Sequence, residues 1–127
     1  MITYNGGSVS NLINNLGEAT IYVTDMYQRA VRYANAQATG TVNTNMHQEL
    51  AENAVVLEIE ANPKWLRRDE NHSSLDVCEA CVSDYRIIKA AIRFGQRNTL
   101  YGRRGNYKDR EQIVNLLLAR NIIVEVI

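Results

Sequence analysis

The sequence contains little of what marks a secreted, disordered or membrane-spanning chain. Its 127 residues include two cysteines, too few for the disulfide framework of a small secreted protein. One proline and seven glycines argue against a disordered or collagen-like chain. No apolar run approaches the roughly 20 residues of a membrane span, and no basic stretch precedes an apolar one at the N-terminus. We therefore expect a single domain over residues 1–127 in a reducing, cytoplasmic compartment.

The formal net charge is zero, but the charges are unevenly distributed along the chain. Residues 1–62 carry a net charge of −4, and residues 63–85 carry −2. Residues 86–110 hold eight basic side chains against one aspartate, a net charge of +7. A basic block of this kind favours binding of phosphates or of a nucleic-acid backbone. A solvated basic surface without a partner is the alternative.

The first half of the chain predicts a helix followed by a β-hairpin. Apolar residues share one helical face over 8–16, with serine at the start and glycine directly after the end. The β-branched and aromatic residues of 20–24 favour a strand, with 29–35 as its hairpin partner. A single helix over 19–38 is the competing interpretation, because its apolar residues also fit a helical stripe.

The second half predicts an alternation of helices and strands. The predicted elements are a helix from Asn45 to before Pro63, a helix from about Asp76 to Gly95, a short strand over 98–101, a helix from Asp109 and a buried strand over 122–127. Strand, helix and strand in such close succession form a βαβ unit, which implies a parallel pair of strands.

Four residues at the starts of two predicted helices suggest a metal site. They are His47 and Glu49 in one helix and Cys78 and Cys81 in the other. One imidazole and two thiolates make a three-ligand zinc site with a fourth position open for water. Helix N-termini lower thiol pKa values and so favour the metal-binding thiolates. Zinc turns its bound water into hydroxide near neutral pH, and Glu49 is placed to move protons.

Other interpretations of these residues stay open. The two cysteines can be buried thiols on an apolar helical face, or a redox pair, and His47 can be a surface histidine. His72 can instead join the cysteines as a ligand of a structural zinc ion.

The combination of H-x-E with C-x-x-C is the signature of zinc nucleobase deaminases. On this motif, and on the order of its predicted elements, the chain resembles the cytidine deaminase-like superfamily. The resemblance is to the branch with tRNA adenosine, deoxycytidylate and toxin-type deaminases. Val77 stands where most of that family has proline. The resemblance implies a three-layer α/β sandwich, with a mixed five-stranded sheet flanked by helices and its last two strands parallel.

The activity implied by the resemblance is zinc-dependent hydrolytic deamination of a nucleobase, cytosine in preference to adenine. The substrate is then a nucleotide or single-stranded nucleic acid, as the basic block also suggests. The implied roles are metal ligands for His47, Cys78 and Cys81, proton transfer for Glu49, and substrate binding for Asn35, Arg103 and Arg104. The cofactor is Zn²⁺, and relatives commonly form homo-oligomers.

A function from another class competes with the deaminase. The chain can be a non-catalytic α/β binding module, viral or regulatory, that contacts nucleic acid or a protein partner. Cys78 and Cys81 are then structural. The small size and the toxin-like departures also fit a toxin-type or phage deaminase, including a secreted effector delivered to the cytoplasm.

Overall fold

The computed structural model describes residues 1–41, 48–68, 80–95 and 107–127, with side chains from residue 110 onward in the last range. Within these ranges the chain forms seven β-strands and three α-helices, an α/β arrangement with mixed sheets. No helix in these ranges is both long and apolar enough to cross a membrane.

Four strands form the larger sheet, in the order β1-β3-β6-β7. They are β1 (Ile2–Ser8), β3 (Ala54–Ala61), β6 (Tyr85–Arg93) and β7 (Ile123–Val126). Strand β3 is antiparallel to both of its neighbours, whereas β6 and β7 are parallel. The side chains of β3 alternate between the two faces of the sheet, and most of them are buried.

Three short strands form the smaller sheet, which is antiparallel throughout. They are β2 (Ile21–Val23), β4 (Leu66–Arg68) and β5 (Ala80–Val82), in the order β2-β5-β4. The two sheets meet at an isolated bridge, where Tyr4 of β1 and Thr24 exchange main-chain hydrogen bonds of 2.8 and 2.9 Å.

The helices are α1 (Leu12–Leu16), which follows a 3-10 turn, α2 (Tyr27–Thr39) and α3 (Tyr107–Ala119). Helix α2 ends at Gly40, whose φ of 72° lies in the left-handed region that favours glycine. Helix α3 lies between β6 and β7 along the chain and supplies the crossover that a parallel pair requires.

The alternation of β3 divides the core into two clusters. Val55, Leu57 and Ile59 face the larger cluster, to which the smaller sheet and α3 also contribute. Ala54 and Val56 face the smaller cluster, which α2 covers. Helix α2 and the smaller sheet therefore lie on opposite faces of the larger sheet.

Helix α2 approaches β1 very closely at one residue. A Cβ atom added to Gly6 would lie 1.8 Å from the main-chain oxygen of Ala30 in α2. Only glycine allows two segments of main chain to come this close. Gly6 therefore determines how near α2 can lie to the sheet.

The first half of the chain departs from the sequence prediction at two elements. Ser8 ends β1, so the predicted helix over 8–16 is confirmed only from Val9 onward, ending at Gly17 as expected. The strand over 20–24 is confirmed as β2, but its predicted hairpin partner over 29–35 is wrong, because those residues lie in α2. The helical stripe of the competing interpretation prevails from Tyr27, since it packs against β1 and β3.

The helices predicted after Asn45 and Asp76 are wrong over their described residues. Those residues form β3, β5 and β6. Apolar side chains at intervals of four fit a helix, but β-branched residues in the same runs also fit a strand. The pairing of β3 with both β1 and β6 decides between them, and these partners are distant in sequence.

At the C-terminus, the predicted helix and final strand are confirmed, but the predicted burial of the strand is not. The helix from Asp109 corresponds to α3, and the last strand is β7. Its parallel partner in the described residues is β6, which lies in a segment predicted as helix, and not the strand predicted over 98–101. The expectation that β7 is buried is wrong: Ile123 is 66% exposed, because β7 has one neighbour within the described sheet. The strand predicted over 98–101 lies outside the described residues. The mixed α/β class is confirmed, with four strands in the larger sheet instead of five.

Candidate functional site

The residues predicted for the zinc site are only partly described by the structure. His47, Cys78, Arg103 and Arg104 lie outside the described residues. Asn35, Glu49 and Cys81 are within them, and the structure brings the first two together.

Asn35 is a buried residue of α2, so its expected position at the end of a strand is wrong. Its Nδ2 donates to the main-chain oxygen of Glu49 at 2.8 Å, and its Oδ1 accepts from the Ala51 N–H at 2.7 Å. Both ends of the amide are therefore used by main-chain groups. Asn35 holds the segment before β3 against α2.

Glu49 contacts Asn35 through its main chain, while its side chain is exposed. Residues 48–53 form no helix and lead directly into β3. The Glu49 carboxylate therefore does not lie on the helix that the resemblance implies.

Cys81 lies in the middle of β5, on the other side of the larger sheet from α2. Its neighbours Ala80 and Val82 are buried in the larger core cluster, so the Cys81 side chain points away from that cluster. The structure therefore separates this thiol from the contact between Asn35 and Glu49.

Of the three zinc ligands that the resemblance implies, only Cys81 lies within the described residues. Across residues 1–41, 48–68, 80–95 and 107–127, no group of three or more His, Cys, Asp or Glu side chains could hold a metal ion. Cys81 lies on a strand and not at the start of the helix that the resemblance implies.

A different site opens where β1 and β2 separate. Beyond the bridge between Tyr4 and Thr24, the gap between the two strands becomes a cavity of about 490 Å³. Residues of α1 and of the turn before it line one part of this cavity, and residues of α2 line another. The volume is within the range of roughly 300–1,000 Å³ that small-molecule sites occupy.

Amide and tyrosine side chains dominate the described lining of this cavity, and we call it the amide–tyrosine pocket. None of the described residues that line it is Asp, Glu, Lys, Arg, His or Cys. The amide side chains are those of Asn5, Asn11, Asn14, Asn15 and Gln37. The tyrosines are Tyr4, Tyr22 and Tyr33.

Asn5 spans the gap between the diverging strands. Its Nδ2 donates to the main-chain oxygen of Tyr22 at 2.8 Å. Its Oδ1 is buried and has no hydrogen-bond partner among the described residues. A buried acceptor without a partner costs free energy, about 1–3 kcal/mol in proteins. The described chain therefore leaves this oxygen unpaired at a residue that lines the pocket.

Gln37 connects α2 to the start of the first helical turn. Its Oε1 accepts from the Ser8 N–H at 3.1 Å and from Asn11 Nδ2 at 3.4 Å. These two bonds fix the orientation of the Gln37 amide and hold this end of the pocket in place.

The aromatic side of the pocket is supported from α2. The ring of Tyr4 packs edge-on against Tyr27, with 5.3 Å between ring centroids and an interplanar angle of 79°. Burial, with the nearby charge of Glu125, raises the pKa of Tyr27 above its ordinary value of 10.0. The phenol beside the pocket is therefore neutral at physiological pH.

This arrangement can recognise a ligand by hydrogen bonds and ring contacts. Amide side chains do not exchange protons near neutral pH, and the described lining includes no carboxylate, imidazole or thiol. The tyrosine hydroxyls are its titratable groups, and together with the amides they can hydrogen-bond to a ligand.

The sequence analysis missed this pocket, although a signal for it exists. Residues 1–17 contain no charged side chain, and four asparagines fall between residues 5 and 15. An uncharged, amide-rich segment of this length is unusual on a protein surface, where charged side chains are common.

Comparison with known proteins gives no assignment for either site. No family model, no curated protein and no solved structure matches this chain.

Proposed function

We propose that this chain is a non-catalytic binding module whose site is the amide–tyrosine pocket. The observation that carries the proposal is the buried, unpartnered Oδ1 of Asn5 in a pocket of ligand size. Binding of a ligand in such a pocket is favourable in free energy when a donor of the ligand bonds to an acceptor that the chain leaves unpaired.

The ligand of this module is uncharged. Transfer of a charged group into a site without an opposite charge is costly, because the group loses its hydration. The described lining offers amides, phenols and main chain, and among these residues no side chain carries a charge to pair a phosphate, carboxylate or ammonium group. Neutral polar molecules therefore match its chemistry best.

Backbone NMR with a panel of neutral polar compounds tests this proposal. Neutral sugars, nucleosides and N-acetylated amino-acid amides are titrated separately, with a charged analogue of each. We expect shift changes that cluster at Asn5, Tyr22 and Gln37, and much weaker changes with the charged analogues.

A filled pocket provides the matched control. Ala36 lines the cavity, so Ala36→Phe should abolish the shift changes. Ala119→Phe adds the same ring at an exposed position at the end of α3 and should leave them unchanged. Shift changes that persist in the Ala36→Phe protein, or no binding by any neutral compound, would refute the proposal.

Zinc-dependent nucleobase deamination is the second candidate, together with the cytidine deaminase-like fold. The hydrogen bond between Asn35 and the Glu49 main chain favours it, because the resemblance assigns both residues to one site. The strand at Cys81 and the exposed, non-helical position of Glu49 weigh against it. It therefore ranks below the binding module.

Metal analysis distinguishes the two candidates. About one zinc ion per chain, lost in the Cys78→Ser and Cys81→Ser variants, would favour the deaminase. Ammonia release from cytidine or deoxycytidine nucleotides, abolished by Glu49→Ala with zinc retained, would establish it. Salt-sensitive oligonucleotide binding that weakens in the double variant Arg103→Ala and Arg104→Ala tests the nucleic-acid partner separately.

A further inference from the structure

The main chain of Gly6 faces the amide–tyrosine pocket with both of its polar groups. Odd-numbered residues at the two ends of β1 bond toward β3: Met1 accepts from Ala61, and the Val9 N–H donates to Asn53. Tyr4 instead bonds to Thr24 on the opposite edge. Because the direction alternates along a strand, the N–H and C=O of Gly6 also point to this edge.

Gly6 lies between two residues whose groups on this edge are already bonded. Tyr4 is paired with Thr24, and the Ser8 N–H donates to Gln37 Oε1 at 3.1 Å. No described residue bonds to the edge-facing groups of Gly6 itself. With Asn5 Oδ1, the residues of β1 that line the pocket therefore hold one donor and two acceptors that lack partners within the described chain.

A hydroxyl group suits this mixture, because the same oxygen can donate and accept. A ring with several neighbouring hydroxyls can satisfy closely spaced donors and acceptors without bringing a charge into the site. The apolar faces of such a ring also suit tyrosines, and Tyr22 and Tyr33 both line the pocket. We propose that the ligand is a neutral carbohydrate, bound through a pyranose ring at Gly6 and Asn5; this inference rests on the proposed binding function.

The shape of the pocket favours a compact ring over an extended peptide. A strand added along β1 at Gly6 would meet the bridge between Tyr4 and Thr24 at one end. At the other end it would meet Gln37, where that side chain bonds to Ser8. A monosaccharide or disaccharide is short enough to lie between these two limits, within about 490 Å³.

Isothermal titration and saturation-transfer NMR test the inference. The probes are the methyl glycosides of glucose, galactose and mannose, with N-acetylglucosamine and maltose. Glucuronic acid and glucose 6-phosphate are the charged counterparts, and uridine, adenosine and N-acetylglycine amide are the neutral compounds of other classes. We expect at least one neutral sugar to bind, and its charged counterpart to bind at least about tenfold more weakly.

Two variants with matched controls locate the bound sugar. Asn5→Leu removes the acceptor and should weaken binding about tenfold, whereas Asn115→Leu at an exposed site on α3 should have no effect. Tyr22→Ala removes a ring of the pocket and should also weaken binding about tenfold. Trp65→Ala, which removes an exposed ring outside the pocket, should not.

The outcomes separate this inference from the proposal on which it rests. If uridine, adenosine or the amide binds at the pocket and every sugar fails, the carbohydrate inference is overturned and the binding module stands. If none of the neutral compounds binds, both fail. Sugar binding that is unchanged by Asn5→Leu and Tyr22→Ala overturns the inference as well.

Discussion

Asn35 and Asn5 are amide side chains of the same type that bond to main chain in two different ways. Asn35 uses both ends of its amide, with bonds to Glu49 and Ala51. Asn5 uses only its Nδ2, on Tyr22, and leaves a buried oxygen unpaired beside a cavity. The comparison teaches that a satisfied buried amide supports the fold, whereas a half-satisfied one at a pocket indicates a ligand.

The largest loss of stability is expected at Gly6, which lies where α2 meets β1 and also lines the amide–tyrosine pocket. In Gly6→Ala the new Cβ meets the Ala30 main-chain oxygen at 1.8 Å, so α2 must move away from β1. We expect a loss of about 3 kcal/mol or more in the free energy of unfolding, measured by urea denaturation. Gly17→Ala is the control, since nothing lies within 4 Å of its added Cβ. Equal effects of the two substitutions would contradict the close contact between α2 and β1.

The next effect is at Asn35 and tests its role as a structural residue. Asn35→Ala leaves the Ala51 N–H and the Glu49 main-chain oxygen without their partner in α2. We expect a loss of about 2–3 kcal/mol in the free energy of unfolding, because two buried bonds disappear together. Hydrogen exchange at Ala51 should become faster at the same time. Unchanged stability and unchanged exchange would show that the segment is held by other contacts.

A smaller effect on stability is expected at Asn5, and it sharpens the contrast with Asn35. Asn5→Ala removes one hydrogen bond, but it also removes a buried acceptor that has no partner. The two changes oppose each other, so the loss should stay below about 1 kcal/mol. Urea denaturation of the Asn5→Ala and Asn35→Ala proteins side by side checks the order. A larger loss at Asn5 would mean that its amide supports the fold.

The smallest expected effect is a loss of stability at alkaline pH, caused by two titratable groups on the α2 side of the larger sheet. A hydrogen bond to Glu125 raises the pKa of Lys89 above 10.5, and burial raises that of Tyr27 above 10.0. Both groups hold their protons more tightly in the folded state, so their stabilisation is complete below about pH 10 and declines as pH rises further. The exposed Lys89–Glu125 pair contributes under about 1 kcal/mol.

Urea denaturation between pH 8 and about pH 11.5 measures this decline, and Tyr27→Phe is the informative variant. The substitution removes one of the two titrating groups and keeps the ring beside Tyr4. The decline should therefore be shallower in the variant. An identical pH dependence in both proteins would exclude Tyr27 as a contributor.

The elements that the sequence predicted correctly are those with a strong local signal. The helix from Asp109 and the final strand have clear apolar patterns, and the strand at 20–24 is rich in β-branched and aromatic residues although a helix over 19–38 competed with it. The segments that became β3 and β6 were ambiguous, since their apolar residues fit both periods. Only the register of β3 with β1 and β6 resolves that ambiguity.

The candidate sites show the same limit. Asn35 and Glu49 were singled out by motif, and the structure does place them in contact, but through main-chain groups that no motif specifies. The amide–tyrosine pocket needs β1, β2, α1 and α2 together. None of these elements by itself contains the site, so side-chain spacing along the chain could not predict it.

From the sequence alone follow the α/β class, the helix and final strand at the C-terminus, and the absence of charge over residues 1–17. Each depends on residue type and on neighbours along the chain. The divergence of β1 from β2, the unpaired groups at Asn5 and Gly6 and the separation of Cys81 from Asn35 depended on the tertiary structure. The physical reason is that hydrogen-bond partners in a sheet come from distant segments, and only their final register determines which polar groups remain unpaired.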